Sequence, residues 1–207
     1  MIVLKTVPNL SDIISRNTKA LIFDMDGTLL NTELVHAQAL SKFLNDSNHN
    51  IERLLNDFCG VSEPEVFRIL KDRNVITTKS FDEFIEQKNI EFEKILKDDE
   101  LLARLFLPEL KKLILEAKSK NIKIAIVTAS ESNTTELFLS KLKIKNLFDL
   151  IITRNDTERT KPDPMPYIHS LSKLKVNHDE VIIFEDSETG LAAARASKAQ
   201  FFKVTWY

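Results

Sequence analysis

Two aspartates, Asp24 and Asp26, follow directly on the apolar run Ala20–Phe23 and precede Gly27 and Thr28. Residues two positions apart on an extended chain point to the same side, so both carboxylates would lie together where a buried strand ends. The glycine behind them lets the backbone turn. Two carboxylates at one spot repel each other, which favours either a bound cation or a shared proton. The spacing therefore predicts a site that handles charge at the end of a strand.

The composition is that of an ordinary globular protein. Of the 207 residues 43% are hydrophobic, which suits one α/β domain or one domain plus a small insert. The formal net charge of -2 gives no sign of affinity for nucleic acid or for an anionic membrane. Cys59 is the single cysteine, so the chain has no internal disulfide and no thiolate metal cluster. Because no signal-like start and no membrane-spanning apolar run occurs, we expect a cytoplasmic protein.

Helices and strands alternate along the chain, apart from one long helical block. A strand is predicted over 20–24, and almost no strand pattern occurs between Thr32 and Leu105. After Pro108 helical and β-type segments alternate as far as residue 204. The predicted helices span 33–45, 51–58, 63–74 and 80–97 in the block and 109–120, 132–143, 165–174 and 188–197 after it, and the later strands span 122–127, 147–152, 180–184 and 200–204.

The alternation predicts an α/β fold with a parallel sheet, because right-handed crossovers place helices on both faces of such a sheet. The core would consist of residues 1–31 and 106–207, and residues 32–105 would form an inserted helical cap. An insertion at this point would overhang the carboxyl ends of the strands, where open α/β sheets bind ligands. The first 19 residues are predicted to form a short extended piece and a helix from Asn9 or Ser11 to about Arg16, which could pack on a sheet edge.

Polar residues follow four of the predicted strands, and in a parallel sheet they would meet at one edge. They are Asp24 and Asp26, then Thr128, Ala129 and Ser130, then Lys161, and finally Glu185 and Asp186. Hard oxygen ligands without a local histidine or cysteine indicate Mg²⁺. Simpler interpretations exist for each segment: a turn, a helix cap, a solvated loop lysine and an acidic helix start, respectively. Their common location at strand ends favours a single site.

Taken together, these segments resemble the motifs of the haloacid dehalogenase-like superfamily, in its phosphoglucomutase and phosphoglycolate phosphatase branch. Asp24–Thr28 is similar to the first motif and Thr128 to the second; Lys161-Pro162-Asp163 is similar to the third and Glu185-Asp186-Ser187 to the fourth. The resemblance covers nearly the whole chain from Lys19 onward. It implies an α/β fold with a Rossmann-like parallel-sheet core and an inserted α-helical cap domain.

The resemblance also implies a role for each motif residue. Asp24 would attack phosphorus and form an aspartyl phosphate, while Asp26 would protonate the leaving oxygen and then deprotonate the attacking water. Mg²⁺ would be held by Asp24, the main-chain carbonyl of Asp26 and Asp186, with Glu185 in direct or water-mediated support. The implied phosphate-binding residues are Gly27, Thr128, Ala129, Ser130 and Lys161, of which Thr128 and Lys161 are also counted as catalytic. Such a site supplies the positioning and charge neutralisation that phosphoryl transfer needs.

The cap is expected to supply substrate specificity. Lys88 lies in the apolar stripe of the helix over 80–97, where its stem either crosses apolar surface or carries the ammonium into the pocket. Gln87-Lys88-Asn89 and His36 resemble cap segments of β-phosphoglucomutases, which makes Lys88 and His36 candidate substrate-binding residues. For His36 a packing role stays open.

Two acidic residues depart from the mutase pattern. The segment Gly60–Glu63 is similar to a mutase loop, but Glu63 replaces the arginine that grips phosphate, and Glu131 replaces a lysine. Both acids would repel the second phosphate of a bisphosphate intermediate. We therefore expect a Mg²⁺-dependent phosphatase, a monomer or weak dimer, whose partner is a small phosphomonoester such as a sugar phosphate. A β-phosphoglucomutase-like mutase is the alternative, and a non-enzymatic phospho-ligand sensor is a remote one.

Overall fold

The structure, a computed structural model, describes residues 2–45, 49–58, 61 and 63–207. The chain divides into two compact units, which we name by their content. The sheet unit comprises Met1–Leu30 and Phe106–Tyr207, and the helical unit comprises Asn31–Leu105. Within the described ranges, no helix has both the length and the apolar character needed to cross a membrane. The role of the helical unit as a cap stays a prediction.

The sheet unit is built on one six-stranded sheet in the order β1-β6-β5-β2-β3-β4. The strands are β1 (Ile2–Leu4), β2 (Ala20–Phe23), β3 (Lys123–Val127), β4 (Leu150–Ile152), β5 (Val181–Glu185) and β6 (Gln200–Val204). Every pair of neighbouring strands is parallel, which confirms the predicted α/β, Rossmann-like class. All four residues of β2 are buried, because a parallel sheet with helices on both faces needs an apolar central strand.

Ten α-helices occur in the described residues, and their order along the chain follows the predicted alternation. They are α1 (Leu10–Ile13), α2 (Thr32–Leu44), α3 (Ile51–Phe58), α4 (Glu63–Asp72), α5 (Phe81–Ile95), α6 (Asp99–Ala103), α7 (Pro108–Ser119), α8 (Ser132–Lys141), α9 (Met165–Leu174) and α10 (Glu188–Ala196). In the sheet unit, α9 and α10 contribute Tyr167, Leu171, Ala193 and Ala194 to the core beside β2, β3 and β5. This packing fixes the ends of the central strands relative to one another.

Several predicted elements are shorter in the structure by a few residues, and for two of them the local cause is visible. Helix α1 ends at Ile13 rather than near Arg16, because Ile14 adopts an extended backbone with φ -88 and ψ 150. Strand β4 begins at Leu150 rather than at residue 147. Residues Lys145–Leu147 form a short 3-10 helix instead of extended chain, so strand pairing starts only after that helix ends.

The first and last segments of the sheet unit lie together at one side of the sheet. Strand β1 forms the edge beside β6, with Ile2 opposite Phe202, which confirms the expectation that this segment packs on a sheet edge. Beyond β6, Trp206 Nε1 donates to the Thr28 carbonyl at 2.7 Å, and Tyr207 donates to the next carbonyl along the chain at 2.8 Å. The segment that follows β2 is therefore held from the far end of the chain.

The helical unit has its own apolar core. Helices α2, α3, α4 and α5 contribute buried Leu40, Leu54, Leu70 and Phe84 to it. The α5 stripe predicted from the sequence is buried at Phe84, Phe92 and Ile95, and Lys88 is buried with them. A lysine in such a stripe requires a partner for its charge.

Candidate active site

The turn that follows β2 is shaped by Gly27. Asp24 extends the hydrogen-bond ladder of β2 by donating its N–H to the Phe184 carbonyl at 3.0 Å. The Leu30 N–H then donates to the Met25 carbonyl at 2.9 Å, which closes the turn. Gly27 has φ +77, and a Cβ there would lie 2.4 Å from Asp186 Oδ2. Only glycine therefore provides both the backbone conformation and the space for Asp186. The Gly27 N–H donates within the turn, to the Leu30 carbonyl at 2.9 Å.

Lys161 joins three of the predicted segments. Its ammonium donates to Asp24 Oδ1 at 2.6 Å, to Glu185 Oε1 at 2.5 Å and to the Val127 carbonyl at 2.8 Å. The side chain is only 4% exposed. The interpretation of Lys161 as a solvated loop lysine is therefore wrong, since the loop after β4 brings its ammonium to the carboxyl ends of β2, β3 and β5.

The acidic residues of this cluster crowd together. Carboxylate oxygens of Asp24, Glu185 and Asp186 lie within 4.8 Å of one another. Asp186 is held by Thr28, whose hydroxyl donates to Oδ1 at 2.9 Å. Helix α10 begins only at Glu188, with Ser187 as its capping residue. The interpretation of Glu185 as part of an acidic helix start is therefore wrong, because it is the fully buried last residue of β5.

Burial and mutual repulsion govern the protonation of the cluster. Burial raises the pKa of Asp24 well above its usual value, and the nearby carboxylates add to this, while Lys161 opposes it. Burial, followed by the charge of Glu185, also raises the pKa of Asp186. For Lys161 burial acts to lower the pKa, but Asp24 and Glu185 outweigh it and the net shift is upward. Asp24 and Glu185 thus favour the charged form of Lys161.

These donors suit a hard divalent cation. Three carboxylates that converge from the ends of two neighbouring strands provide oxygen ligands only, which Mg²⁺ prefers. Gly27 leaves the space that Asp186 occupies, since a side chain there would collide with its carboxylate. The residues present therefore fit the predicted Mg²⁺ site.

The Asp26 carboxylate accepts hydrogen bonds from two hydroxyls. Ser130 Oγ donates to Asp26 Oδ2 at 2.6 Å and Thr128 Oγ1 donates to the same oxygen at 3.2 Å. The Ser130 N–H returns to Thr128 Oγ1 at 3.0 Å, and Ala129 between them is exposed. Helix α8 is preceded by Glu131 and receives no side-chain cap, so the interpretation of these hydroxyls as helix caps is wrong. The predicted second segment therefore contacts the predicted acid and base.

Tyr167 belongs to the site although the sequence did not single it out. Its hydroxyl donates to Glu185 Oε1 at 2.6 Å, and the Lys161 ammonium lies 5.1 Å from the centre of its ring. On the other side of Glu185, a Cβ at Gly190 would lie 2.0 Å from the carboxylate. An aromatic residue in a helix shows no signal of such a contact, which depends on how α9 packs on β5.

The two candidate residues of the helical unit meet at a third residue, Glu63. Lys88 donates to Glu63 Oε1, and His36 Nδ1 lies 3.6 Å from the same oxygen. The His36 ring also packs on Phe92, with 5.2 Å between centroids. Gly60 and Ser62 of the mutase-like loop lie outside the described residues. Glu63, expected from the sequence to repel a second phosphate, is paired with Lys88 instead of standing alone.

Comparison with known proteins identifies the class. The parallel sheet and the carboxylate–lysine cluster at its strand ends are accompanied by a match to the haloacid dehalogenase-like hydrolases over residues 21–204, so the chain belongs to that family. A phosphorylated carbohydrates phosphatase of Thermotoga maritima is 30% identical over 183 residues, which cover 86% of this chain and 81% of that protein. This relative and a pyrophosphatase of Bacillus mycoides identify the protein as a phosphatase of the family.

Further relatives differ in the substrates that their names give. The pyrophosphatase PpaX of Bacillus mycoides is 28% identical over 200 residues, which cover 89% of this chain and 82% of that protein. Among solved structures, a β-phosphoglucomutase from Clostridium difficile superposes with a TM-score of 0.63 at 27% identity, covering 90% of this chain and 84% of that one. Hydrolases and a mutase thus share this fold.

Proposed function

We propose that the protein is a Mg²⁺-dependent phosphatase that hydrolyses a small phosphomonoester, such as a sugar phosphate, through an aspartyl-phosphate intermediate. The observation that carries this proposal is the position of Lys161, which bonds both Asp24 and Glu185 beside Asp186. A buried lysine against a cluster of acids is the arrangement that positions a phosphoryl group and limits repulsion against it.

Asp24 is the nucleophile in this proposal. Lys161 holds Oδ1, so that Oδ2 forms the bond to phosphorus while the bond from phosphorus to the ester oxygen breaks. A carboxylate is a competent covalent nucleophile once nearby cations reduce its repulsion against the incoming phosphate. As negative charge moves from the Asp24 carboxylate to the phosphoryl oxygens, the Lys161 ammonium stays beside that charge and stabilises it.

Asp26 moves the protons. It gives a proton to the leaving ester oxygen and later takes one from the water that attacks the aspartyl phosphate, which releases inorganic phosphate and restores Asp24. Ser130 and Thr128 support this role because their bonds to one oxygen, Oδ2, fix the orientation of the carboxyl group. Each hydroxyl has one proton to donate, so a hydroxyl that turns to a phosphoryl oxygen of the bound substrate gives up its bond to Asp26.

Mg²⁺ would be held by Asp24, Asp186 and the main-chain carbonyl of Asp26, with Glu185 in direct or water-mediated support. When bound, the ion would neutralise negative charge on the phosphoryl group. Thr28 and Gly27 serve this site by orienting Asp186 and by leaving room for it. Tyr167 serves it by fixing Glu185.

The relatives support a phosphorylated metabolite as substrate. One is named for phosphorylated carbohydrates and another for pyrophosphate, and we propose the carbohydrate class because that relative shares the higher identity. A mutase is the second candidate, since a β-phosphoglucomutase shares the fold at 27% identity. The pairing of Glu63 with Lys88 speaks against it, because a mutase must hold a second phosphate while the intermediate reorients.

The proposal is tested by phosphate release from a panel of phosphomonoesters and pyrophosphate, with and without Mg²⁺. Asp24→Asn should abolish release, and Asp179→Asn, at an exposed aspartate of the same unit, should retain it. Near-wild-type release by Asp24→Asn would exclude Asp24 as nucleophile. Conversion of β-glucose 1-phosphate to glucose 6-phosphate with little phosphate released, in the presence of a bisphosphate activator, would identify a mutase instead.

A further inference from the structure

A hydrogen-bonded linkage reaches from the segment after β6 to the proposed metal site. Trp206 Nε1 donates to the Thr28 carbonyl at 2.7 Å, and the Thr28 hydroxyl donates to Asp186 Oδ1 at 2.9 Å. One residue, Thr28, thus separates Trp206 from a carboxylate that is proposed to hold Mg²⁺. All three residues belong to the sheet unit. We call this connection the Trp206–Thr28–Asp186 linkage.

The indole N–H of Trp206 restrains the backbone at Thr28. The turn after β2 is closed by main-chain bonds that the N–H groups of Gly27, Leu29 and Leu30 donate, and the Thr28 carbonyl accepts from Trp206. Thr28 is fully buried, and a carbonyl out of reach of water needs a donor. The indole N–H therefore satisfies this carbonyl and holds its peptide group in place.

The side chain of Thr28 passes this restraint on to Asp186. Threonine is branched at Cβ, so few χ1 rotamers are open to it and the direction of its hydroxyl follows from its backbone. A backbone that is held at the Thr28 carbonyl therefore aims Oγ1 at Asp186. Asp186 needs such a restraint, because its carboxylate lies within 4.8 Å of those of Asp24 and Glu185 and like charges repel.

The indole ring is held by the strands that carry the acids. Its centroid lies 6.1 Å from that of Phe184, the residue before Glu185, and Phe184 stacks on Phe23 of β2 with 4.7 Å between centroids. The Thr205 N–H donates to the Leu4 carbonyl at 2.9 Å, which extends the pairing of β6 with β1 to the residue before Trp206. Packing and strand pairing thus fix the position of the indole donor.

We propose that Trp206 is a positioning residue for Mg²⁺ binding, because its indole N–H holds Thr28 and the Thr28 hydroxyl keeps Asp186 oriented for the ion. This inference rests on the proposed function, which assigns Asp186 to the metal. Residues that orient the ligands of a metal contribute to its affinity although they do not touch the ion. The alternative is a purely structural role, in which the ring only fills space beside Phe184.

The test is calorimetric titration of the full chain with Mg²⁺ alone, without substrate. Trp206→Phe keeps an aromatic ring beside Phe184 and removes the indole N–H. It should weaken Mg²⁺ binding by about three- to tenfold, since a bond to a neutral carbonyl is lost one step away from the ligand. Thr28→Val removes the direct partner of Asp186 and should weaken binding by at least about tenfold.

A double variant and a matched control isolate the linkage. In the Thr28→Val background, Trp206→Phe should weaken Mg²⁺ binding by at most about a further twofold, because the connection to Asp186 is already broken. Tyr207→Phe is the control. Tyr207 donates to the next carbonyl, that of Leu29, at 2.8 Å, and leucine has no side-chain donor for Asp186. Tyr207→Phe should therefore leave the affinity for Mg²⁺ unchanged.

A spectroscopic readout follows the linkage directly. Trp206 is the single tryptophan of the chain, so its indole N–H gives one indole peak in a ¹H–¹⁵N spectrum. Mg²⁺ should shift this peak in the wild type, with a midpoint that matches the calorimetric Kd. In Thr28→Val the shift should be largely lost, even at Mg²⁺ concentrations that saturate the variant. If Trp206→Phe fails to fold, this comparison carries the test, because Thr28→Val retains the indole.

The outcomes separate the inference from the proposed function. If Trp206→Phe binds Mg²⁺ as tightly as the wild type, the inference fails and the proposed function stands. Equal losses in Trp206→Phe and Tyr207→Phe, or an indole peak that shifts equally in the wild type and Thr28→Val, would also overturn the inference. If the wild type binds Mg²⁺ but hydrolyses no ester, the proposed function fails and the binding data still decide the inference. A wild type that binds no Mg²⁺ contradicts both.

Discussion

Tyr167→Phe tests whether the buried network around Lys161 is organised by a residue outside the recognised motifs. The substitution removes one hydroxyl, the donor to Glu185 Oε1 at 2.6 Å, and keeps the fully buried ring. The ring still lies 5.1 Å from the Lys161 ammonium. Burial, followed by the charge of Glu185, raises the pKa of Tyr167, so the hydroxyl is a donor throughout the working pH range.

The size of the effect follows from the bonds that Glu185 keeps. A hydrogen bond to a charged group contributes about 1.5–3 kcal/mol. Glu185 retains Lys161 at 2.5 Å and Ser187 at 3.2 Å, so it is not left without partners. We therefore expect the free energy of unfolding to fall by about 1.5–2 kcal/mol, the lower part of that range. In a protein of this size each kcal/mol lowers the melting temperature by about 2–4 °C.

The kinetic effect should appear in kcat. With Tyr167 shortened, Glu185 restrains the Lys161 ammonium less firmly, and a loss of about 1.4 kcal/mol of transition-state stabilisation corresponds to a tenfold lower kcat. KM should change little, because the substrate still meets the same charges. The assay is steady-state phosphate release with Mg²⁺, combined with thermal unfolding of the same samples.

Tyr207→Phe is the matched control, since Tyr167 and Tyr207 are the two tyrosines of the chain. Tyr207 donates to the neutral Leu29 carbonyl at 2.8 Å, and a bond of this kind contributes about 0.5–1.5 kcal/mol. The control should be destabilised less and should keep its kcat. If Tyr167→Phe loses stability but retains kcat, Tyr167 has a structural role only; if both are retained, the argument about Glu185 is wrong.

Two further predictions concern the proposed metal site. Mg²⁺ at 100 times its Kd should stabilise the protein by about 2.7 kcal/mol, which raises the melting temperature by about 5–11 °C. Asp186→Asn should lose most of this rise in melting temperature. If the rise is undiminished in Asp186→Asn, Asp186 is not a ligand. Gly27→Ala should weaken the Mg²⁺ response and cost about 1–2 kcal/mol for its positive φ, because the new Cβ would lie 2.4 Å from Asp186 Oδ2. If Gly27→Ala melts at the same temperatures as the wild type, both with and without Mg²⁺, the second prediction is wrong.

The sequence predicted the elements whose signals are local. Apolar runs such as Ala20–Phe23 mark strands that are buried on both faces, and the polar residues after them mark the strand ends. Local signals failed at the start of β4. The residues from 147 to 152 form one mostly apolar run, but Leu147 ends a 3-10 helix that begins at Lys145, and strand pairing starts only at Leu150.

Contacts between distant residues could not be predicted from the sequence. Tyr167 and Glu185 meet because α9 packs on the sheet. The spacing of apolar residues in α9 predicts which face of the helix is buried, but it does not predict which residue accepts the hydrogen bond from the Tyr167 hydroxyl. Lys88 is the other case. Its place in the apolar stripe of α5 left two interpretations open, and the contact with Glu63 from α4 shows that its charge is paired inside the helical unit.

The charge of the sheet-unit site gives a reason for Mg²⁺ that does not depend on family membership. When the carboxyl groups of Asp24, Glu185 and Asp186 are all ionised, the single ammonium of Lys161 leaves two excess negative charges in a largely buried space. Burial together with that repulsion raises the pKa values of Asp24 and Asp186. Two unit charges 4 Å apart interact by about 4 kcal/mol at an effective dielectric constant of 20, so a phosphate dianion is strongly repelled there. One divalent cation balances the excess, whereas one monovalent cation leaves half of it. Na⁺ or K⁺ at the same concentration should therefore fail to replace Mg²⁺ in the phosphate-release assay.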